Sequence, residues 1–351
     1  MDLFTPLQLG QLQLRNRVVM APMTRSRADA DGVPTSMMVE YYRQRAGAGM
    51  IVTEGIAPSA DGLGYCRTPG IYNQQQVERW REVTEAVHAE GGTIVAQLMH
   101  VGRASSHYNK PAGSETVAPS AIRAAGEIYT DAAGMQPMDQ PRELGTEEVA
   151  TVIEEYRHAT ENARSAGFDG VELHCTSGYL PAQFLSTGTN QRQDCYGGSV
   201  ENRCRFVLQV LQAMAAVDGG GRVGMRICPD NPFNDLRDDN PTETFEYLLA
   251  EAELLDLAYL HVIRMSGGRL DNIELGQRHF GDRLIGNDSY DLLEAQAAVR
   301  GGELTAVSFG RHFIANPDLP ARFQQGAALA SFDPATLYTP GEKGYISYPP
   351  L

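Results

Sequence analysis

Eight short apolar runs, spaced so that a helical segment fits after each one, constrain this chain more than any other feature. They are VVMAPMT from Val18, MIVTEG from Met50, TIVAQLMH from Thr93, GVELHC from Gly170, RVGMRIC from Arg222, AYLHVIR from Ala258, RLIGN from Arg283 and AVSFGR from Ala306. Short, nearly continuous apolar runs suit strands buried on both faces. Between them the period changes to that of a helix. Val77, Trp80, Thr84 and Val87 share one face, and Gly91-Gly92 ends that segment. Val149, Val152, Ile153, Tyr156 and Ala163 share another, with Thr146 as the expected N-cap and two glutamates in the first turn. Phe206, Val210 and Met214 mark a third. Eight strands alternating with helices is the count for an α/β fold of the (β/α)₈ (TIM) barrel type, with an open doubly wound sheet as the alternative.

The segment before the first run, LFTPLQLGQLQLRNRVV, alternates apolar and polar around Gly10. It predicts a β-hairpin that plugs the bottom of the barrel. The long polar stretches after some strands predict loop insertions at the C-terminal face. No compositional break divides residues 1–351, so one barrel domain is expected.

The formal net charge of −15 disfavours nucleic acid and anionic membranes as partners. Five cysteines, with no Cys-x-x-Cys pair, argue against a disulfide framework and against a zinc or iron–sulfur site. No metal is expected. The opening MDLFTPLQLG has no signal-peptide pattern, and no apolar stretch is long enough to span a bilayer. These features fit a cytoplasmic enzyme and leave monomer or homodimer open.

Chemistry in such barrels sits at the C-terminal ends of the strands, and polar residues collect there. Thr24 closes the first run, Gln97 and His100 the third and His174 the fourth. Arg226 lies near the end of the fifth, and Gly310-Arg311 close the eighth. A lone strand-end histidine is more often structural than catalytic, so the surrounding segment has to decide.

That segment, FDGVELHCTSGYLPAQFLSTGTNQRQDCYGGSVENRCRF, resembles the old yellow enzyme family of FMN-dependent ene-reductases, as do LFTPLQLGQLQLRNRVVMAPMTR, GTIVAQLMHVGRAS and VSFGRHFIANPDL. The similarity runs essentially end to end. It implies the barrel, an FMN cofactor and reduction by NADPH or NADH as a transient reductant, with a small electrophilic alkene as substrate. For the flavin it implies Gln97 at the pyrimidine edge, Arg226 beside the anionic reduced ring, and Thr24 at O4. Pro22, Met23 and Gly55 would supply backbone contacts along the ring. Asn287, Asp288, Ser289, Gly310 and Arg311 would surround the phosphate. The loop after the seventh strand reads GNDSY where the family has a glycine-rich loop, which places the Asp288 carboxylate near the expected phosphate.

For catalysis the resemblance points to HCTSGYL. His174 would bind the electron-withdrawing group of the substrate, and Tyr179 would protonate the α carbon. Ser177 stands where the family carries asparagine or histidine, so the second donor is shorter. Met99 replaces a frequent tryptophan, and Tyr65 and Tyr338 would line the substrate cavity. His100 and Arg103 are expected only to hold their loop; His261, His279 and His312 are read as structural, and Cys175 as a buried thiol. Two further functions share this sequence pattern: the same flavin chemistry directed at nitro compounds, nitrate esters or a specialised biosynthetic step, and a flavin-binding protein with little turnover.

Overall fold

The computed structural model describes residues 2–351. All eight runs form parallel strands: β1 (Val18–Met20), β2 (Met50–Ile56), β3 (Ile94–Leu98), β4 (Gly170–Cys175), β5 (Val223–Ile227), β6 (Tyr259–Ile263), β7 (Leu284–Asn287) and β8 (Ala306–Phe309). Each pairs with its sequence neighbours, and β8 pairs with β1 to close the barrel. The open-sheet alternative is thereby excluded. A helix follows each strand: α1 (Ser36–Gln44), α2 (Gln74–Ala89), α3 (Thr146–Ser165), α4 (Val200–Asp218), α5 (Pro241–Glu253), α6 (Asn272–Phe280), α7 (Leu292–Gly301) and α8 (Leu319–Gln325). Helix α2 ends at Glu90 with Gly91 at positive φ. Helix α3 differs from expectation by one residue. Gly145 is its N-cap, and Thr146 is the first helical residue, its hydroxyl donating to Asp194 instead (2.6 Å). Among the described residues, no helix is long and apolar enough to cross a membrane.

Side chains alternate along a strand, and that alternation sorts each run into two environments. Val18 and Met20, Leu98, Leu173, Met225, Leu260 and Val307 join the core between strands and helices, which also holds Trp80, Tyr156 and Phe206. Their neighbours Val19, Val95, Tyr259, Ile285 and Ala306 form a separate cluster. Residues from strands on all sides can meet only inside the barrel. Leu9, Leu12 and Leu14 of the hairpin Leu7–Leu9/Leu12–Leu14 complete this inner cluster. Gly10 turns the hairpin at φ 54°, and a Cβ there would lie 2.5 Å from the Gly221 carbonyl oxygen. The plug is therefore pressed against the lower rim.

Two insertions shape the upper face. Between β3 and α3 the chain makes a hairpin, Glu127–Thr130 with Gly134–Pro137. After α8 the C-terminal segment returns over the mouth, where Arg27 donates to the carbonyls of Thr336 and Leu337 (both 2.7 Å) and Arg25 to that of Gly344 (2.7 Å). Tyr345 stacks on Tyr41 with centroids 4.1 Å apart.

Inside the barrel, Gly224 faces Tyr259 across β5 and β6, and a Cβ at 224 would overlap the tyrosine ring. Overpacking of this kind costs about 1–3 kcal/mol. Gly224→Ala should lower the unfolding free energy by that amount in urea titration, with an unchanged m-value.

Candidate active site

The same alternation continues upward from the apolar inner cluster, and there it places polar residues. Gln97, Glu172, His174, Arg226, His261, Asn287 and Ser308 all take inward positions, and every one is buried. They form a connected system. Gln97 Nε2 donates to Glu172 Oε1 (2.8 Å), and Glu172 Oε2 lies 2.9 Å from His261 Nδ1. His261 Nε2 lies 2.7 Å from Ser308 Oγ. Asn287 Nδ2 donates to the Ser308 carbonyl (3.1 Å), and its Oδ1 accepts from Arg226 Nη2 (2.5 Å). Burial alone would raise the Glu172 carboxyl, but His261, Arg226 and Gln97 pull it below the usual range. Burial lowers His261, with Arg226 adding to the effect against the pull of Glu172. The layer therefore sets a carboxyl held below its usual range between an imidazole held below its own and a guanidinium.

Above it, the turn after β4 brings the two expected catalytic side chains together. Ser177 and Gly178 both have positive φ (56° and 74°), which reverses the chain. Tyr179 then caps a short helix, Leu180–Leu185, whose Gln183 binds the Gly178 carbonyl (2.7 Å) and that of Val101 (3.0 Å). The His174 and Tyr179 rings meet edge to face with centroids 4.8 Å apart. The Tyr179 hydroxyl donates to that of Tyr65 (3.2 Å). Burial, with Tyr65 beside it, pushes the Tyr179 phenol well above its ordinary range. Burial, with Arg226 nearby, brings the His174 imidazole down to about 3. The site thus offers a retained phenolic proton and an uncharged imidazole.

Two cavities open at the mouth. The larger, about 720 Å³, is lined by Thr24, Tyr65, Tyr179, Phe233, Asn234 and Tyr338 among others. The smaller, about 320 Å³, is lined by Pro22, Arg226, Asn287, Asp288, Gly310 and Arg311 among others. Met23, partly buried against the main core, lies in the segment joining Pro22 to Thr24. Gly55 is filled in by the Met99 side chain, which packs with Tyr179, Ile128 and Met138. Ser177 is half-buried, and its carbonyl accepts from Asn234 Nδ2 (2.8 Å). Asp288 and Ser289 are exposed, and the next helix is capped by Asp291 rather than Asp288.

An elongated anionic group with a planar head fits what these residues leave unpaired. The buried Arg226 Nε and His174 Nδ1 have no partner among the described residues. Neither do the amides of Asp288, Ser289, Gly310 and Arg311, all in residues that line the smaller cavity. A buried guanidinium, an amide acceptor on Gln97 and a cluster of free amides beside Arg311 match the needs of an isoalloxazine ring and a phosphate.

His100 and Arg103 serve their loop as expected: His100 Nδ1 accepts from the Gly102 amide (3.1 Å), and Arg103 donates to the Asp235 carbonyl (2.7 Å). Cys175 is buried, and burial pushes its thiol up. Glu172, Ser308 and Asn234 were not singled out from the sequence, and His261 and His312 were read as merely structural. His261 belongs to the polar layer, and His312 lines the smaller cavity. Strict alternation within the apolar runs is the signal that would have found Glu172, His261 and Ser308.

A closed barrel with this donor set at its mouth defines a flavin-dependent oxidoreductase. The profile of the NADH:flavin oxidoreductase / NADH oxidase family matches residues 2–330. A probable flavin mononucleotide-dependent alkene reductase of Leishmania infantum is 42% identical, with 98% of this chain and 96% of that protein aligned. Morphinone reductase in complex with tetrahydroNAD superposes with a TM-score of 0.95 at 47% identity, covering 100% of this chain and 98% of that one. The old yellow enzyme homologue from Zymomonas mobilis gives 0.96 at 39% identity, with full coverage of both chains. The chain belongs to this family, the old yellow enzymes, and is an FMN-dependent NAD(P)H oxidoreductase.

Because His174 is held neutral, reoxidation of the reduced enzyme by cyclohexenone should show no inflection from this group between about pH 5 and about pH 9. Stopped-flow flavin absorbance across that range checks it. A rate that climbs on acidification through about pH 6.5 would instead identify a titrating imidazolium.

Proposed function

We propose that this enzyme reduces the C=C bond of α,β-unsaturated carbonyl or nitro compounds. The observation that carries the reading is the contact between the neutral His174 imidazole and the protonated Tyr179 phenol, beside a cavity large enough for a cyclic substrate. The names of the alkene reductase and morphinone reductase relatives support it.

When bound, FMN would supply hydride-transfer chemistry, with NAD(P)H as its reductant. The chain's own residues do the rest. Gln97 offers its carbonyl oxygen to the pyrimidine edge, since its Nε2 is bonded to Glu172. Arg226 opposes negative charge at the reduced ring. Thr24 would take O4, while Pro22, Met23 and Gly55 would flank the ring. Asn287, Asp288, Ser289, Gly310 and Arg311 would surround the phosphate. His174, with Ser177 as a short second donor, polarises the electron-withdrawing group. Tyr179 delivers the proton to the α carbon, and Tyr65 holds its hydroxyl in place. Met99 and Tyr338 bound the substrate. Reduction of a nitroaromatic compound or a nitrate ester is the second reading, and the short Ser177 donor favours it.

Anaerobic reduction by NADPH followed by addition of cyclohexenone, a nitroalkene or a nitrate ester separates the two. Reoxidation by cyclohexenone supports the first reading, and reoxidation by nitrate ester alone supports the second. Tyr179→Phe should leave reduction by NADPH intact and slow enone reoxidation by roughly 10²–10⁴-fold. Ser177→Asn restores a longer donor and should raise cyclohexenone turnover by about tenfold; an unchanged rate would show that position 177 does not touch the substrate.

A further inference from the structure

The loop after β7 adopts a backbone that its sequence does not favour. Asp288 and Ser289 both lie in the left-handed region, at φ 78° and 56°. That region disfavours serine and tolerates aspartate only as a single residue, so two in succession need support. Both residues are exposed, so packing does not hold them there.

Arg264, the first residue after β6, does. Its backbone amide donates to the Asn287 carbonyl (3.0 Å), its Nε to the Asp288 carbonyl (2.7 Å) and its Nη2 to the Ser289 carbonyl (2.6 Å). The guanidinium is itself fixed, 3.7 Å from the Tyr290 ring centroid and 3.1 Å from Glu294 Oε2. Three consecutive carbonyls are thus bound by one residue. In a trans peptide the N–H points opposite to the C=O. The amides of Asp288, Ser289 and Tyr290 therefore face away from Arg264. None of them donates to a protein acceptor among the described residues, and all three residues line the smaller cavity with Arg311. Successive amides presented in this way form an anion-binding concavity.

We propose that Arg264 is a positioning residue that holds the backbone of Asn287–Ser289 in the form that receives the FMN phosphate. The inference rests on placing the phosphate in this cavity. Arg264 supplies by hydrogen bonding the conformation that a glycine pair would adopt unaided. It also brings a positive charge to a loop that carries the Asp288 carboxylate.

The test uses the full-length holoenzyme. FMN release on dilution is followed by flavin fluorescence, and the same protein is reconstituted with riboflavin, which has no phosphate. Arg264→Ala should weaken FMN binding by about tenfold or more and leave riboflavin binding unchanged. Arg264→Lys, which keeps the charge but loses the fork, should not restore it. In a background carrying Asp288→Gly and Ser289→Gly, Arg264→Ala should have less than about a threefold effect. The proposal is overturned if Arg264→Ala leaves FMN binding unchanged, weakens FMN and riboflavin alike, or acts as strongly in the glycine background. Arg311→Ala tests the underlying placement. If it leaves the preference for FMN over riboflavin intact, the phosphate lies elsewhere and the proposal falls with that placement. If it abolishes the preference while Arg264→Ala does not, only the proposal falls.

Discussion

A buried carboxylate shared between an amide and an imidazole underlies the rest of the active site. Glu172 lies inside the barrel with no exposure, where a lone charge would be very costly. It is tolerated because Gln97 and His261 both bond it and Arg226 stands nearby. In return it fixes which way the Gln97 amide points and helps keep the charge of the layer balanced. The Arg226 guanidinium, which lines the smaller cavity, is then balanced by the carboxylate of its own layer. Removing one member would leave the others buried and unpaired, so the layer acts as a unit.

The upper tier uses burial differently. No strong ionic partner fixes His174 or Tyr179. Desolvation, helped by Arg226 for the imidazole and by Tyr65 for the phenol, keeps the one neutral and the other protonated. Both states follow from the turn at Ser177-Gly178, which folds the tyrosine back over the histidine.

Much of this was legible in the sequence. The eight runs were visible because each is short and largely apolar, and several end at a polar residue such as Thr24, His100, Arg264 or Asn287. The His174–Tyr179 pairing was carried by HCTSGYL and its resemblance to a known family. What stayed hidden has physical causes. Glu172, His261 and Ser308 sit in the middle of runs that look continuously apolar; alternation marks their face, and the barrel's closure brings those faces into one interior. Asn234 comes from a loop distant in sequence, and only its bond to the Ser177 carbonyl reveals its place. Thr146 looked like a cap because its hydroxyl suits that role, but Asp194 claims the hydroxyl. The polar substitutions in the loop after β7 looked like a defect in the phosphate site. In fact the loop keeps its left-handed backbone through a residue on the neighbouring strand's end.

The leucine hairpin under the barrel has a kinetic meaning as well as a structural one. Leu9, Leu12 and Leu14 fill the lower end, and the apolar tier above them leaves no passage through the middle. Access to the polar tier is therefore from the upper face, where both cavities open. A nicotinamide and an alkene that both need the flavin would compete for that upper opening.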